Sequence, residues 1–240
     1  MIVIHDHRLP CEYVGALKER LRNCILKPLD MSVLNCGYQS IQSHPDIYFF
    51  QIGQNVLIHA PSVPRDMLEE LEGHGVRLIA GESNPGCVYP QTAMYNVVRV
   101  GQLLFSNAKY IDLVLMEKVT ELSLETVHVE QGYARCSVIP VGGRAMVTAD
   151  LGIASTAERK GIDTLRISPG CVHLPGEASG FIGGACGVMP DDSLILLGDI
   201  SFHPDADRIK DFLSIHNVEL IDMPGLPLYD AGSLIICGKK

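Results

Sequence analysis

Residues Tyr133 to Gly170, YARCSVIPVGGRAMVTADLGIASTAERKGIDTLRISPG, constrain the fold more than any other stretch. Two short apolar runs flank Val141-Gly142-Gly143-Arg144, where glycine tolerates the positive φ of a tight hairpin turn. LGIASTAERKG then reads as a short helix closed by Gly161, and DTLRIS returns as a strand. This β-β-α-β outline recurs. Counterparts of its second strand begin at Ile2, Val56, Leu103, Ala145 and Ile195, a spacing of about 40 to 55 residues that points to an array or ring of supersecondary units.

The copies are uneven at the ends. The first complete unit starts near Asp46, with IYFFQIG, NVLIHA, a helix from Pro64 and VRLIAG. The second starts at Asn96, with NVVRVG, QLLFSN, DLVLMEKV and TVHVE. Tyr133–Gly170 is the third, and GFIGGACGV, SLILLGD, PDADRIKDFLSIHN and VELIDM make the fourth. The C-terminal AGSLIICG lacks a partner, whereas the N-terminus starts with a second strand and the amphipathic helix CEYVGALKERLRNC. Pairing the two termini completes a fifth unit, closes the ring and removes exposed sheet edges. Residues 30–45 are turn-rich and receive no assignment.

Five such units resemble the pentein fold of guanidine-modifying enzymes and of a ribosome-binding translation initiation factor. The resemblance is carried by QGYARCS, TADLGIA, GIDTLRISPG, GFIGGACG, FHPD and LYDAGSLI, which are similar to an uncharacterised bacterial branch of that superfamily. It implies an α/β fold: a five-fold pseudo-symmetric β-β-α-β propeller closed by pairing of the N- and C-terminal strands, as one domain over residues 1–240. A doubly wound sheet is the rival, but simple β-α alternation does not generate five hairpins.

In a ring of this kind the openings of the first strands converge on a central channel. Here those openings hold Asp46, Asn96, Arg135, Cys136, Gly184 and Asp230, with Gly183 and Cys186 beside them. Carboxylates, an amide and a guanidinium around one pocket suit a small cationic or polar ligand, and the glycines permit close backbone approach. The resemblance also implies a nucleophilic cysteine on the last unit acting with a histidine, and the chain offers Cys237 and His173 in those parts. The competing roles are a buried structural thiol for Cys237, small-hydrophobe packing for Cys136 and Cys186, and turn or cap chemistry for Asp46 and Asp230. Asp150 and Asp199, each after a second strand, read as helix caps.

Two functions follow: a thiol-dependent hydrolase or transferase acting on guanidine-type compounds, or a non-catalytic pentein binding a protein partner or small ligand. Catalysis itself stays open. The net charge of −9, with no basic run, disfavours nucleic acid. No apolar stretch approaches the ~20 residues of a membrane span, and MIVIHDHRLP is not a secretory signal, so the expectation is a cytoplasmic protein with reduced thiols. GFIGGACG is not a nucleotide fingerprint, so no cofactor is expected. His5-Asp6-His7 has metal-ligand residue types without a third ligand placed by spacing, and reads as surface or turn residues; no metal is assigned. Oligomeric state is not legible.

Overall fold

A computed structural model describes residues 1–34 and 38–238. Its backbone is a mixed α/β arrangement holding five three-stranded sheets of one plan. In each, the first strand runs antiparallel to the second, and the second is parallel to the third across a helix. The first unit uses Phe49–Gly53, Val56–His59 and Arg77–Ala80, with helix Arg65–Gly73. The second uses Val98–Val100, Leu103–Ser106 and Glu125–His128, with helix Leu113–Glu121. The third uses Val138–Val141, Ala145–Thr148 and Asp163–Arg166, with helix Leu151–Arg159. The fourth uses Cys186–Val188, Leu194–Leu196 and Leu220–Ile221, with helix Ala206–Ile215.

The fifth sheet joins the chain ends. Ile235–Cys237 runs antiparallel to Ile2–Asp6 in the register Ile2↔Cys237, Val3↔Ile236 and Ile4↔Ile235. Ile2–Asp6 in turn pairs in parallel with Ile25–Leu29 across helix Cys11–Arg20. The sheets remain five separate ladders and do not merge into one closed sheet.

Burial explains the sequence pattern. Second strands are flanked on both sides, so Ile2–Asp6, Ala145–Thr148 and Leu194–Leu196 are buried at every residue and read as continuous apolar runs. Third strands are outer edges, and Arg77, Glu125 and Asp163 begin three of them with charge, which blunts edge-to-edge pairing. Each helix presents a narrow apolar stripe to its sheet: Met67 and Leu71, Leu115 and Val119, or Ile209, Phe212 and Leu213. Gly142 and Gly143 carry φ of 52° and 71°, as the two-residue hairpin turn requires.

Three details depart from the sequence reading. The segments leading into three of the first strands open on short helical turns, Pro45–Tyr48, Ala134–Ser137 and the 3-10 turn Gly183–Ala185, before the strand begins. A two-stranded parallel pair, Val172–His173 with Leu228–Tyr229, lies outside the five-unit plan. The unassigned segment 30–45 forms 3-10 turns at Ser32–Leu34 and Gln39–Ile41, with residues 35–37 outside the described set.

Candidate functional site

The openings of all five units meet in one buried polar cluster. Cys136 donates its thiol proton to Asp46 Oδ2 at 2.9 Å, and the Ser233 hydroxyl lies 2.8 Å from the same oxygen. Asn96 Nδ2 donates to Cys136 Sγ at 3.1 Å, while Asn96 Oδ1 accepts the backbone N–H of Arg135 at 2.8 Å and of Cys136 at 3.3 Å. The Arg135 guanidinium reaches into the fourth unit and donates to the carbonyls of Gly183 and Cys186. Asp46 N donates to the Gly232 carbonyl, and Ser233 N to the Gly184 carbonyl. Side chain and backbone thus tie successive units together at their heads.

Asp230 closes the cluster on one side. It accepts the N–H groups of Phe181 at 2.8 Å and Gly232 at 3.0 Å, and Gly184 is its close neighbour, since a Cβ there would stand 1.9 Å from Asp230 Oδ1. His44 sits between carboxylates, with Nε2 3.9 Å from Asp6 Oδ2 and Nδ1 3.9 Å from Asp230 Oδ1. Asp6 is claimed by Arg8, whose guanidinium meets both of its oxygens.

A cavity of about 480 Å³ leads from this cluster toward the exposed hairpin turns at Gln54, Gly143 and Asp192. First-strand residues of all five units line it, with Asp46, Arg135 and Ser233 at its buried end and Arg99 and Gln51 on its wall. Asp46 is the acid of the cluster that borders this space. Its Oδ1 is fully buried and accepts no hydrogen bond. The sequence-derived residues Asp46, Asn96, Arg135, Cys136, Gly184 and Asp230 therefore fall in one place, but only Asp46 and Arg135 line the cavity. Cys136, Asn96, Gly184 and Asp230 lie behind them.

Burial dominates the electrostatics. It pushes the Asp46 and Asp230 carboxyls above the usual range, against the hydrogen bonds from Cys136 and Ser233 on one and the nearby His44 on the other. Burial also holds His44 below its ordinary value, opposed by Asp230 and Asp6. The Cys136 thiol is driven well up, by burial first and by Asp46 and Asp230 after it, so it rests as a thiol.

Cys237 and His173 do not assemble as a dyad. Cys237 is wholly buried in the apolar core, and burial pushes its thiol to about 12. His173 is exposed, pairs in register with Tyr229 and stacks edge-on against that ring at 5.5 Å. The two side chains share no hydrogen bond. The physical reason is the strand period: Cys237 ends a buried strand opposite Ile2, on the face that packs into the core. Cys186 is likewise buried, its thiol raised to about 11. Cys11, Cys24, Cys136, Cys171, Cys186 and Cys237 are free, whereas Cys87 is disulfide-bonded, which corrects the expectation of thiols reduced throughout. At pH 8 a thiol reagent followed by mass spectrometry is expected to modify exposed Cys11 and Cys171 quickly. It should reach Cys136, Cys186 and Cys237 only on unfolding.

Sequence reasoning missed His44, Ser233 and Arg99. His44 and Ser233 flank residues it had chosen, at His44-Pro45-Asp46 and Asp230 to Ser233, so aligning the unit openings was the available signal. Asp150 accepts the Ile153 N–H at 2.8 Å as a helix cap, and Asp199 accepts that of Ser201. The Nδ1 atoms of His5 and His7 bond to the backbone carbonyls of Asp6 and Leu29. Among the described residues no group of three or more metal-ligating side chains is found. No helix of the described chain is long and apolar enough to cross a membrane.

Known structures agree with the fold. SxtG, an amidinotransferase from Microseira wollei in the saxitoxin biosynthetic pathway, aligns at a TM-score of 0.50 and 12% identity, over 96% of this chain and 89% of its own. The inosamine-phosphate amidinotransferase StrB1 from Streptomyces griseus aligns at 0.52 and 13%, over 92% of this chain and 74% of its own. No curated protein sequence matches the chain. The family of unknown function DUF6873 matches residues 6–235, so the chain belongs to that family, and it carries the pentein fold that these two amidinotransferases share.

Proposed function

We propose that residues 1–240 form one pentein domain whose five units close as a propeller, and that its central cavity binds a small guanidinium-type cation with Asp46 as counter-ion. The pairing of the terminal strands and the cavity lining drawn from all five units support the ring. One observation carries the ligand reading: Asp46 Oδ1 is a buried carboxylate oxygen without a partner at the inner end of a 480 Å³ cavity. Such an atom loses hydration without recompense, and a planar cation with N–H donors restores it. Apolar strand residues Phe50, Val98 and Ile235 line the wall beside Arg99 and Gln51.

Thiol chemistry on the bound group is the second reading, favoured by the Cys136–Asp46 contact at 2.9 Å. There Asp46 takes the thiol proton, the sulfur attacks the guanidinium carbon, and the departing amine leaves with that proton. The resting thiol lies behind Asp46 and is strongly protonated, so binding is the reading we adopt. Isothermal titration of the purified protein with guanidinium, agmatine and arginine, against urea as the neutral isostere, tests it. Saturable binding of a cation but not of urea is expected; equal binding of urea, or none of the cations, overturns the reading. Intact-mass analysis after incubation separates the alternatives, because an adduct on Cys136 would establish the covalent one.

A further inference from the structure

A second cavity, of about 270 Å³, lies on another side of the third and fourth units. It shares none of the residues lining the central cavity. Ser137 forms part of its wall, is 3% exposed, and its hydroxyl is buried with no hydrogen-bond partner. A buried hydroxyl left unpaired is an unfavourable feature unless something else occupies the space beside it. Asp150 also lines the cavity. Its Oδ1 caps the helix through Ile153 N–H, while Oδ2 meets only the Gln131 amide, at 3.4 Å, so acceptor capacity remains.

Two further polar side chains of the wall, His203 and Ser179, have partners within the protein. The His203 ring accepts the Asp205 N–H on Nδ1 at 3.1 Å, and burial holds this imidazole below its ordinary value, opposed by Asp205. The Ser179 hydroxyl points to backbone carbonyls. Ser168 also lines the wall, whose apolar part is made by Ala149, Ile167, Pro169, Ile182 and Phe181, the last 38% exposed. One carboxylate, one unsatisfied hydroxyl and an aromatic face select a small organic cation with an apolar body.

We propose that this cavity is a second ligand site, taking a small primary alkylammonium whose charged end bonds Asp150 and Ser137 and whose chain lies along Phe181. The site does not depend on the central cavity. Its turn nonetheless adjoins the central cluster, since Ser137 follows Cys136 and Phe181 N–H binds Asp230.

Butylammonium chloride, with butanol as the neutral isostere, is titrated calorimetrically into the full chain and three variants. The expected result is saturable millimolar binding of butylammonium and none of butanol. Asp150→Asn keeps the helix cap, because Asn caps as well as Asp, yet should weaken binding about tenfold or more through loss of a charge-assisted bond. Ser137→Ala should also weaken it while leaving the unliganded melting temperature unchanged or raised, as expected when an unpaired hydroxyl is removed. Asp46→Asn should leave it unaltered. Absence of butylammonium binding, equal binding of butanol, indifference to Asp150→Asn, or loss through Asp46→Asn each overturns the proposal. The last outcome would place the probe in the central cavity, so failure here is distinguishable from failure of the Asp46 reading.

Discussion

Gly183→Ala is expected to lower stability by about 3 kcal/mol or more, near the upper end for overpacking. An added Cβ at Gly183 would stand 2.4 Å from the Val138 carbonyl oxygen, 2.5 Å from that of Arg135 and 2.6 Å from that of Cys136. These are backbone atoms of the third unit, so no side-chain rotation relieves the clash; the two units must separate. Separation strains the Gly183 carbonyl, which accepts from Arg135 and lies 3.1 Å from the Ser233 hydroxyl. Gly15, inside helix Cys11–Arg20, has nothing within 4 Å of the equivalent atom. Gly15→Ala should therefore stabilise by about 0.5–1 kcal/mol from helix propensity alone. For a chain of this size the two variants should melt on opposite sides of the wild type, Gly183→Ala lower by roughly 6–12 °C. Calorimetry decides: a Gly183→Ala protein that melts with the wild type would mean that the cluster is looser than the contacts require.

This contrast shows what was legible in the sequence. Second strands announce themselves because both flanks are hydrogen-bonded and both faces covered, which forces runs such as Ile2-Val3-Ile4. Helix starts were legible at Asp150 because capping is local chemistry, three residues from donor to acceptor. The cluster was legible only as a neighbourhood. Asp46 and Ser233 are 187 residues apart, and no local pattern links them. The helical turn Ala134–Ser137 also changed which residue faces the cavity. On a strand Arg135 and Cys136 would point to opposite faces, whereas on a helical turn they diverge by about 100°. Arg135 thus lines the cavity while the thiol turns inward to Asp46. At Cys237 the two roles the sequence offered were a nucleophile, implied by the resemblance, and a buried structural thiol, and its burial between Ile235, Ile236 and Ile2 accords with the second.

Asp46→Asn is expected to abolish cation binding in the central cavity, by at least about thirtyfold, because removing one partner of a buried charge pair costs roughly 2–5 kcal/mol. The same variant should be more stable than the wild type near neutral pH, by about 1 kcal/mol, since a buried charge with an unpaired oxygen is removed. The pH dependence fixes the sign. Burial raises the folded Asp46 carboxyl above its unfolded value of 3.8, so its contribution is fully present below that value and is lost as pH rises through the folded one. Asp230 acts in the same sense. His44 acts oppositely: its folded value lies below 6.5, so its contribution falls as pH drops below 6.5. Both terms persist in the variant, so the difference between wild-type and Asp46→Asn stability isolates Asp46. That difference should shift toward the wild type as pH is lowered. Cation affinity of the wild type should fall over the same interval, because a protonated Asp46 offers no charge. A variant that binds guanidinium as before, or one whose stability difference is flat with pH, would remove Asp46 from the role assigned to it.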